Sequence, residues 1–328
     1  MARALLPAGC LVILSFYPST ASPFQSSFSA PPPATIVPRE ARPAAGEPQV
    51  VLRSDSSLVV IPTHVTTAMG SPVLDLQKEN FRVLEDSVEK PIAHFDQDDA
   101  PVSIGLVFDR SGSMRSRMQK ASEAVSAFLD TANSQDEFFL VEFSDRAKLT
   151  IPFTLDPREI YEGVRSAKAF GRTSLLDAVY LALAKMKSAR YMRKALVVIS
   201  DGGDNWSRHS VREVRETLLE SDLQLYAMGI FDADYAHQRD AETRNGPSLL
   251  NELAVLTGGR EYRVDNLNDL PAISARIGNE LRSEYLLSYY STASQDGKYH
   301  HLSVNLAGPH DMSAWRTDYK KGYYAASR

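Results

Sequence analysis

Four nearly continuous apolar runs constrain this chain most: Val102–Ser103–Ile104–Gly105–Leu106–Val107–Phe108, Phe138–Phe139–Leu140–Val141, Ala195–Leu196–Val197–Val198–Ile199 and Leu223–Gln224–Leu225–Tyr226–Ala227–Met228. All are too short to span a bilayer, and they lack the polar alternation of a strand with one wet face. Each therefore reads as a strand buried on both faces. Helical spacing fills the intervals, in Ala121, Val125, Phe128 and Leu129, then in Leu175, Leu176, Val179, Leu183 and Met186, and again in Val211, Val214 and Leu218. Strand alternating with helix predicts a doubly wound, mostly parallel α/β sheet with helices on both faces, a Rossmann-like domain over residues 100–283.

The flanks have a different texture. From Leu58 a Thr-rich run carries Val59, Ile61 and Val65, a turn signal follows at Gly70–Ser71–Pro72, and Phe81–Leu84 and Ile92–Phe95 complete three or four short strands within residues 49–98. After the amphipathic stretch Leu270–Leu281, residues 284–328 return to strand texture at Tyr285–Tyr290. They alternate at Leu302, Val304 and Leu306, and close on Trp315 and Gly322–Tyr323–Tyr324. Neither flank is long enough to cover its own apolar face. The two are expected to form one small β-sandwich, with the α/β block inserted between them.

Ahead of these, residues 22–48 hold seven of the 18 prolines and read as a linker. Residues 1–21 read as a secretory signal peptide, with Arg3 before the apolar run Ala4–Phe16 and a small-residue cleavage site at Ser19–Thr20–Ala21. The only cysteine, Cys10, lies inside that run and would be lost with it, so the mature chain would have neither disulfides nor Cys-ligated zinc. A lipid-anchored Cys10 is the alternative, but the apolar run continues past it, where a lipobox would end. No later stretch approaches the roughly 20 apolar residues a membrane helix needs. A secreted, periplasmic or cell-surface location is expected, with no membrane span after signal cleavage. The 36 basic and 41 acidic residues sum to −5, which gives no electrostatic footprint for nucleic acid.

In open α/β sheets ligands gather beyond the carboxyl ends of the strands. The first buried strand ends in Asp109–Arg110–Ser111–Gly112–Ser113–Met114, another ends in Ser200–Asp201–Gly202–Gly203–Asp204, and the polar loop Gly171–Arg172–Thr173–Ser174 opens a helix. The chemistry on offer suits a hard cation: carboxylates from Asp109 and Asp201 and hydroxyls from Ser111, Ser113 and Thr173, with no thiol and no clustered imidazole. A cation held largely by hydroxyls and water stays electrophilic and can accept one more carboxylate from a partner. The bland alternative is that Asp109 and the two serines only cap the helix that follows.

At these residues the chain resembles the metal-ion-dependent adhesion site of von Willebrand factor type A domains, over about residues 100–283. More narrowly it resembles the secreted, acidobacterial-type von Willebrand A-related proteins, in Phe81–Asp86, Ala100–Val102, Glu284–Tyr289 and Gly322–Ala325. The resemblance implies a protein-binding module dependent on Mg2+, or on Mn2+ or Ca2+, with Asp109, Ser111, Ser113, Thr173 and Asp201 as metal ligands and a carboxylate-bearing protein as partner. Arg110 stands where many relatives carry a small or hydroxyl residue, and its charge would tune the field at the site.

Trp206 reads either as a partner-facing anchor or as packing under its loop. Asp204 and Asn205 read as turn formers, His209 as a surface or capping residue, and the alternating His300 and His301 as structural. Asp232–Ala233–Asp234 reads as a solvated acidic loop, with calcium binding as its alternative. A Mg2+-dependent phosphotransfer enzyme is the minor alternative, disfavoured at Ser111, since phosphotransfer from a strand-end Asp familiarly uses a second carboxylate two residues on, and a hydroxyl cannot take that proton. Neither G-x-S-x-G nor G-x-x-x-x-G-K occurs. A structural or assembly protein whose metal only orders loops remains the second reading.

Overall fold

Strand β5 (Val102–Asp109) forms because its residues up to Phe108 are apolar or small, and all eight, Asp109 included, are buried in the computed structural model of the chain. It sits inside a six-stranded sheet ordered β10-β9-β8-β5-β6-β7, where β6 is Glu137–Phe143, β7 Ala147–Thr154, β8 Arg193–Ser200, β9 Gln224–Ile230 and β10 Glu261–Val264. All neighbours pair in parallel except β7, which runs antiparallel to β6 on the edge. The edge position tolerates Pro152 inside β7, since a missing N–H there breaks no outer ladder. That half-buried strand was not legible in the sequence, nor was short β10.

The two faces of β5 feed two cores. Ile104, Leu106 and Phe108 pack beneath helices α1 (Met118–Leu129), α2 (Pro157–Ser166) and α6 (Leu270–Arg282), while Val107 faces α3 (Leu175–Met186), α4 (Val211–Glu220) and α5 (Gly246–Leu256). Local signals start two of these helices. Asp156 accepts the Arg158 N–H at 3.0 Å ahead of Pro157, and Ser210 and Glu213 form a reciprocal capping box. Gly105 is required by packing, because a Cβ there would lie 2.3 Å from the Phe139 ring and 2.6 Å from Leu196.

The structure describes residues 57–97, 100–230, 246–291, 297–308 and 314–325, all within the unit Arg53–Arg328. The signal-peptide and linker readings, Cys10 and the loop Asp232–Ala233–Asp234 lie outside the described residues. Around the α/β block stand two four-stranded antiparallel sheets. One is ordered β13-β1-β11-β4, with β1 Ser57–Thr66, β4 His94–Asp96, β11 Tyr285–Ser291 and β13 Arg316–Tyr319; the other is β14-β12-β2-β3, with β2 Phe81–Glu85, β3 Val88–Lys90, β12 Tyr299–Leu306 and β14 Gly322–Tyr324. Each sheet mixes strands from before and after the α/β block. Strand β1 pairs β11 from Ser57↔Ser291 to Thr63↔Tyr285, and β2 pairs β12 around Val83↔Val304. Ile61, Phe81, Val83, Leu287, Tyr289 and Val304 share one core between the sheets.

That core contains a buried carboxylate. Glu85 Oε1 accepts from the hydroxyls of Tyr289 (2.7 Å), Ser291 (2.6 Å) and Tyr323 (2.6 Å), and Lys90 Nζ lies 3.1 Å from Oε2. Burial alone would raise the pKa of Glu85, yet these donors hold it below the ordinary carboxylate value.

Candidate functional site

Strand order reverses around β5: the chain leaves it for β6 and β7 on one side and returns to β8, β9 and β10 on the other. The carboxyl ends of β5 and β8 are therefore neighbours, and they place Asp109 beside Ser200 and Asp201. Asp109 is wholly buried. Its Oδ1 accepts the Ser111 N–H at 2.8 Å and its Oδ2 accepts the Ser200 hydroxyl at 2.6 Å. Burial, and after it the charge of Asp201, pushes the Asp109 carboxyl well above the usual carboxylate range. Two acids held close in low dielectric are costly unless a cation or a proton joins them.

Three loops converge here, bound to one another by their backbones. The Gly112 N–H donates to Gly171 O at 3.0 Å, and the Phe170 N–H donates to Arg110 O at 2.9 Å. Gly171 has φ +74°, and a Cβ on it would lie 2.7 Å from the Asp145 carboxyl, so glycine is the residue this turn accepts. From the third loop, the N–H groups of Asn205 and Trp206 donate to Thr173 O at 3.0 and 3.1 Å, while Asn205 Oδ1 accepts the Thr173 N–H at 3.0 Å. The hydroxyls of Ser111 and Ser113 lie 3.0 Å apart. Ser111, Thr173 and Asp201 are buried and Ser113 is exposed, so the donor set has an open side.

Asp109 does not cap the short 3-10 turn Gly112–Met114 that follows, which has no side-chain cap. Its carboxylate is instead held across the β5 and β8 strand ends. Among the described residues, no group of three or more His, Cys, Asp or Glu side chains is placed to hold a metal. Any cation here would rely on two carboxylates and three hydroxyls, a hard oxygen set that fits magnesium, manganese or calcium and not a soft-metal site.

Sequence reasoning missed three members of this region. Ser200 bonds Asp109 directly. Arg117 is fully buried, donates to Ser113 O at 3.1 Å and lies 3.5 Å from Asp201 Oδ2, placing a fixed positive charge behind that acid. Asn205, read as a turn former, also ties two loops together. For Arg117 no sequence signal existed, since a basic residue in Met114–Arg115–Ser116–Arg117 reads as solvated surface.

The rim residues fall as follows. Arg110 is half-buried, stacks over Phe170 at 4.6 Å and lies 3.8 Å from Glu142. Trp206 does not pack under its loop: it is 49% exposed, with the Arg172 guanidinium 3.8 Å above its ring. Asp204 accepts the Leu176 N–H and the Ser207 hydroxyl, as a turn former does. His209 Nδ1 is 2.7 Å from Asp177 Oδ1. On β12, in the sheet β14-β12-β2-β3, His300 Nδ1 is 2.7 Å from Asp86 Oδ2 and the His301 N–H donates to Asp86 Oδ1.

Residues 104–203 match the model of the von Willebrand factor type A domain. This part of the chain is a von Willebrand factor type A domain. An uncharacterized protein of Borreliella burgdorferi is 23% identical over 189 residues, 51% of this chain and 55% of that protein, so the chain spans about half the length of the curated relative it matches. The conserved hypothetical protein BatB from Bacteroides thetaiotaomicron shares 23% identity over 56% of this chain and 100% of that one, with a TM-score of 0.46. A von Willebrand factor type A protein from Catenulispora acidiphila shares 13% identity over 84% of this chain and 75% of that one, with a TM-score of 0.48. Among the described residues, no helix is long and apolar enough to cross a membrane.

Proposed function

We propose that the type A domain is a divalent-cation-dependent protein-binding module, exported from the cell, whose partner presents a carboxylate. Asp109, Ser111, Ser113, Thr173 and Asp201 would hold the cation, with Mg2+ favoured and Mn2+ or Ca2+ compatible. The observation that carries this reading is the pairing of two buried, mutually repelling acids with hydroxyl donors at an open strand-end mouth. A bound cation supplies a Lewis-acidic position for a carboxylate oxygen from outside.

The chain's own residues prepare that position. Ser200 and the Ser111 N–H fix the two oxygens of Asp109, and Arg117 backs Asp201. Because backbone hydrogen bonds already join the three loops, a cation is not needed merely to hold them, which favours partner binding over a loop-ordering role. A non-enzymatic role is supported by Ser111, which leaves no second carboxylate two residues from Asp109 to move a proton. Arg110 and Trp206 are the proposed partner contacts on the rim.

The test is a calorimetric titration with magnesium of the wild type and Asp109→Ala, paired with far-ultraviolet dichroism. The variant is expected to lose metal binding and keep its fold, since the change lies at strand-end loops outside the apolar cores. Equal metal affinity in both proteins would refute the assignment. Capture of partners from the native surface or culture fraction, with magnesium and with chelator, tests the binding role, and identical captures in both would sink it.

A further inference from the structure

Beside the Thr173 loop lies a groove of about 520 Å³ that the proposed cation site does not use. Its walls include Trp206 from the Asp201 loop, Tyr180 and Asp177 from α3, Asp145 and Arg146 from the β6–β7 turn, and Arg208 and His209 ahead of α4. Trp206 and Tyr180 are 49% and 37% exposed, so the groove offers two aromatic surfaces to solvent at one place. Both are braced. The Arg172 guanidinium stacks on Trp206 at 3.8 Å, and His209 stacks on Tyr180 with ring centroids 3.9 Å apart. Aromatic rings held in place lose little entropy on binding and are frequent anchors of protein interfaces.

The charges in the groove are unequal in availability. Asp177 Oδ1 is taken up by the N–H groups of Arg208 and His209, each at 3.0 Å, and by His209 Nδ1 at 2.7 Å. Asp145 Oδ1 accepts the Arg172 N–H at 2.7 Å. The guanidinium groups of Arg146 and Arg208 are exposed and form no ion pair among the described residues. The groove therefore shows a visitor two aromatic surfaces and two guanidinium groups without ion pairs among the described residues, beside the carboxylates of Asp145 and Asp177 whose Oδ1 atoms are already hydrogen-bonded. It is joined directly to the cation site, because the Trp206 N–H donates to Thr173 O at 3.1 Å.

We infer that this groove is a second recognition pocket, and that the partner segment is an extended acidic peptide with an apolar or aromatic residue a few positions from the carboxylate that the cation would take. This rests on the proposed cation-dependent reading and specifies its partner. The apolar side chain lies against Trp206 and Tyr180, and a further acidic side chain meets Arg146 and Arg208. An extended strand advances about 3.3 Å per residue, so a few residues bridge adjoining sites. These two guanidinium groups, together with the adjoining cation, select an acidic segment over a basic one, and the aromatic pair selects one with an apolar anchor over a purely acidic tail.

Panning a random dodecapeptide library in magnesium against the wild type, Trp206→Ala, the double variant Arg146→Glu/Arg208→Glu, and Asp109→Ala tests this. The wild type is expected to enrich peptides that join acidic residues to an aromatic or large aliphatic one. Trp206→Ala should lose the apolar preference and the double variant the extra acidic one. Affinity of the best wild-type peptide should fall about tenfold or more in each. No enrichment, or the same peptides with the same affinity in the wild type and both groove variants, would overturn the inference. Metal-dependent capture of acidic peptides indifferent to the groove variants would leave the cation reading standing and refute the groove. Groove-dependent binding that survives Asp109→Ala and chelator would refute the cation reading and keep the groove.

Discussion

Glu284, between α6 and β11, is a carboxyl group that burial has pushed up to about 8. Desolvation is the main cause; the Arg193 guanidinium opposes it and the Asp96 carboxylate adds to it. Arg193 is itself buried and directs Nη2 to the Glu284 backbone carbonyl at 3.3 Å, with Asp96 at 3.7 Å. An unfolded Glu releases its proton near its ordinary value, whereas folded Glu284 keeps it through neutral pH. Across that window the folded state holds one more proton, so stability falls as pH rises. Each pH unit costs about 1.4 kcal/mol, which makes the loss between pH 5 and pH 7 about 2–3 kcal/mol. Glu284→Gln keeps the shape of the neutral acid and cannot ionise. Urea unfolding at both pH values, in chelator so that metal plays no part, should show the variant losing about 2–3 kcal/mol less than the wild type over that interval. Since every other titrating group is common to both proteins, the difference isolates this one. Parallel pH profiles for the two proteins would refute the reasoning.

Two further outcomes concern packing and organisation. Gly105→Ala inserts a methyl group against Phe139 and Leu196 in the central strand; a loss of about 1–3 kcal/mol in urea unfolding is expected, and an unchanged midpoint would mean the sheet yields freely there. We also propose that residues 49–98 and 284–328 form one folding unit with the type A domain at 100–283 inserted between them. Deleting 284–328 removes β11 from between β1 and β4, so limited proteolysis should then cut within 57–97 while 102–230 resists. Protection of 57–97 in that truncation would refute the shared unit.

Most of the central architecture was legible because burial on both faces leaves an unbroken apolar record, as in Val102–Phe108 and Ala195–Ile199. The flanking strands were legible for the opposite reason: Leu302, Val304 and Leu306 alternate because one face meets the core. Strand β7 escaped because an edge strand half in water has neither signature, and Pro152 argues locally against any strand. The candidate ligands Asp109, Ser111, Ser113, Thr173 and Asp201 were identified by residue type and by their place at the ends of predicted strands and helices.

The sequence by itself determined the alternation of strand and helix, the split between a two-faced and a one-faced sheet, and which short polar strings end the buried strands. Only the tertiary structure decided which strand ends become neighbours. Strand order is a long-range property, and no local pattern records that β5 lies between β6 and β8. The same holds for charge. Arg117 reads as solvated along the chain, yet folding buries it 3.5 Å from Asp201. Trp206 reads along the chain as either partner-facing or covered, and only the anchoring of its loop to Thr173, which leaves the ring at the surface, decides between them. A side chain's solvent is set by residues far away in sequence, so burial, ion pairing and exposure at this site were fixed by the fold.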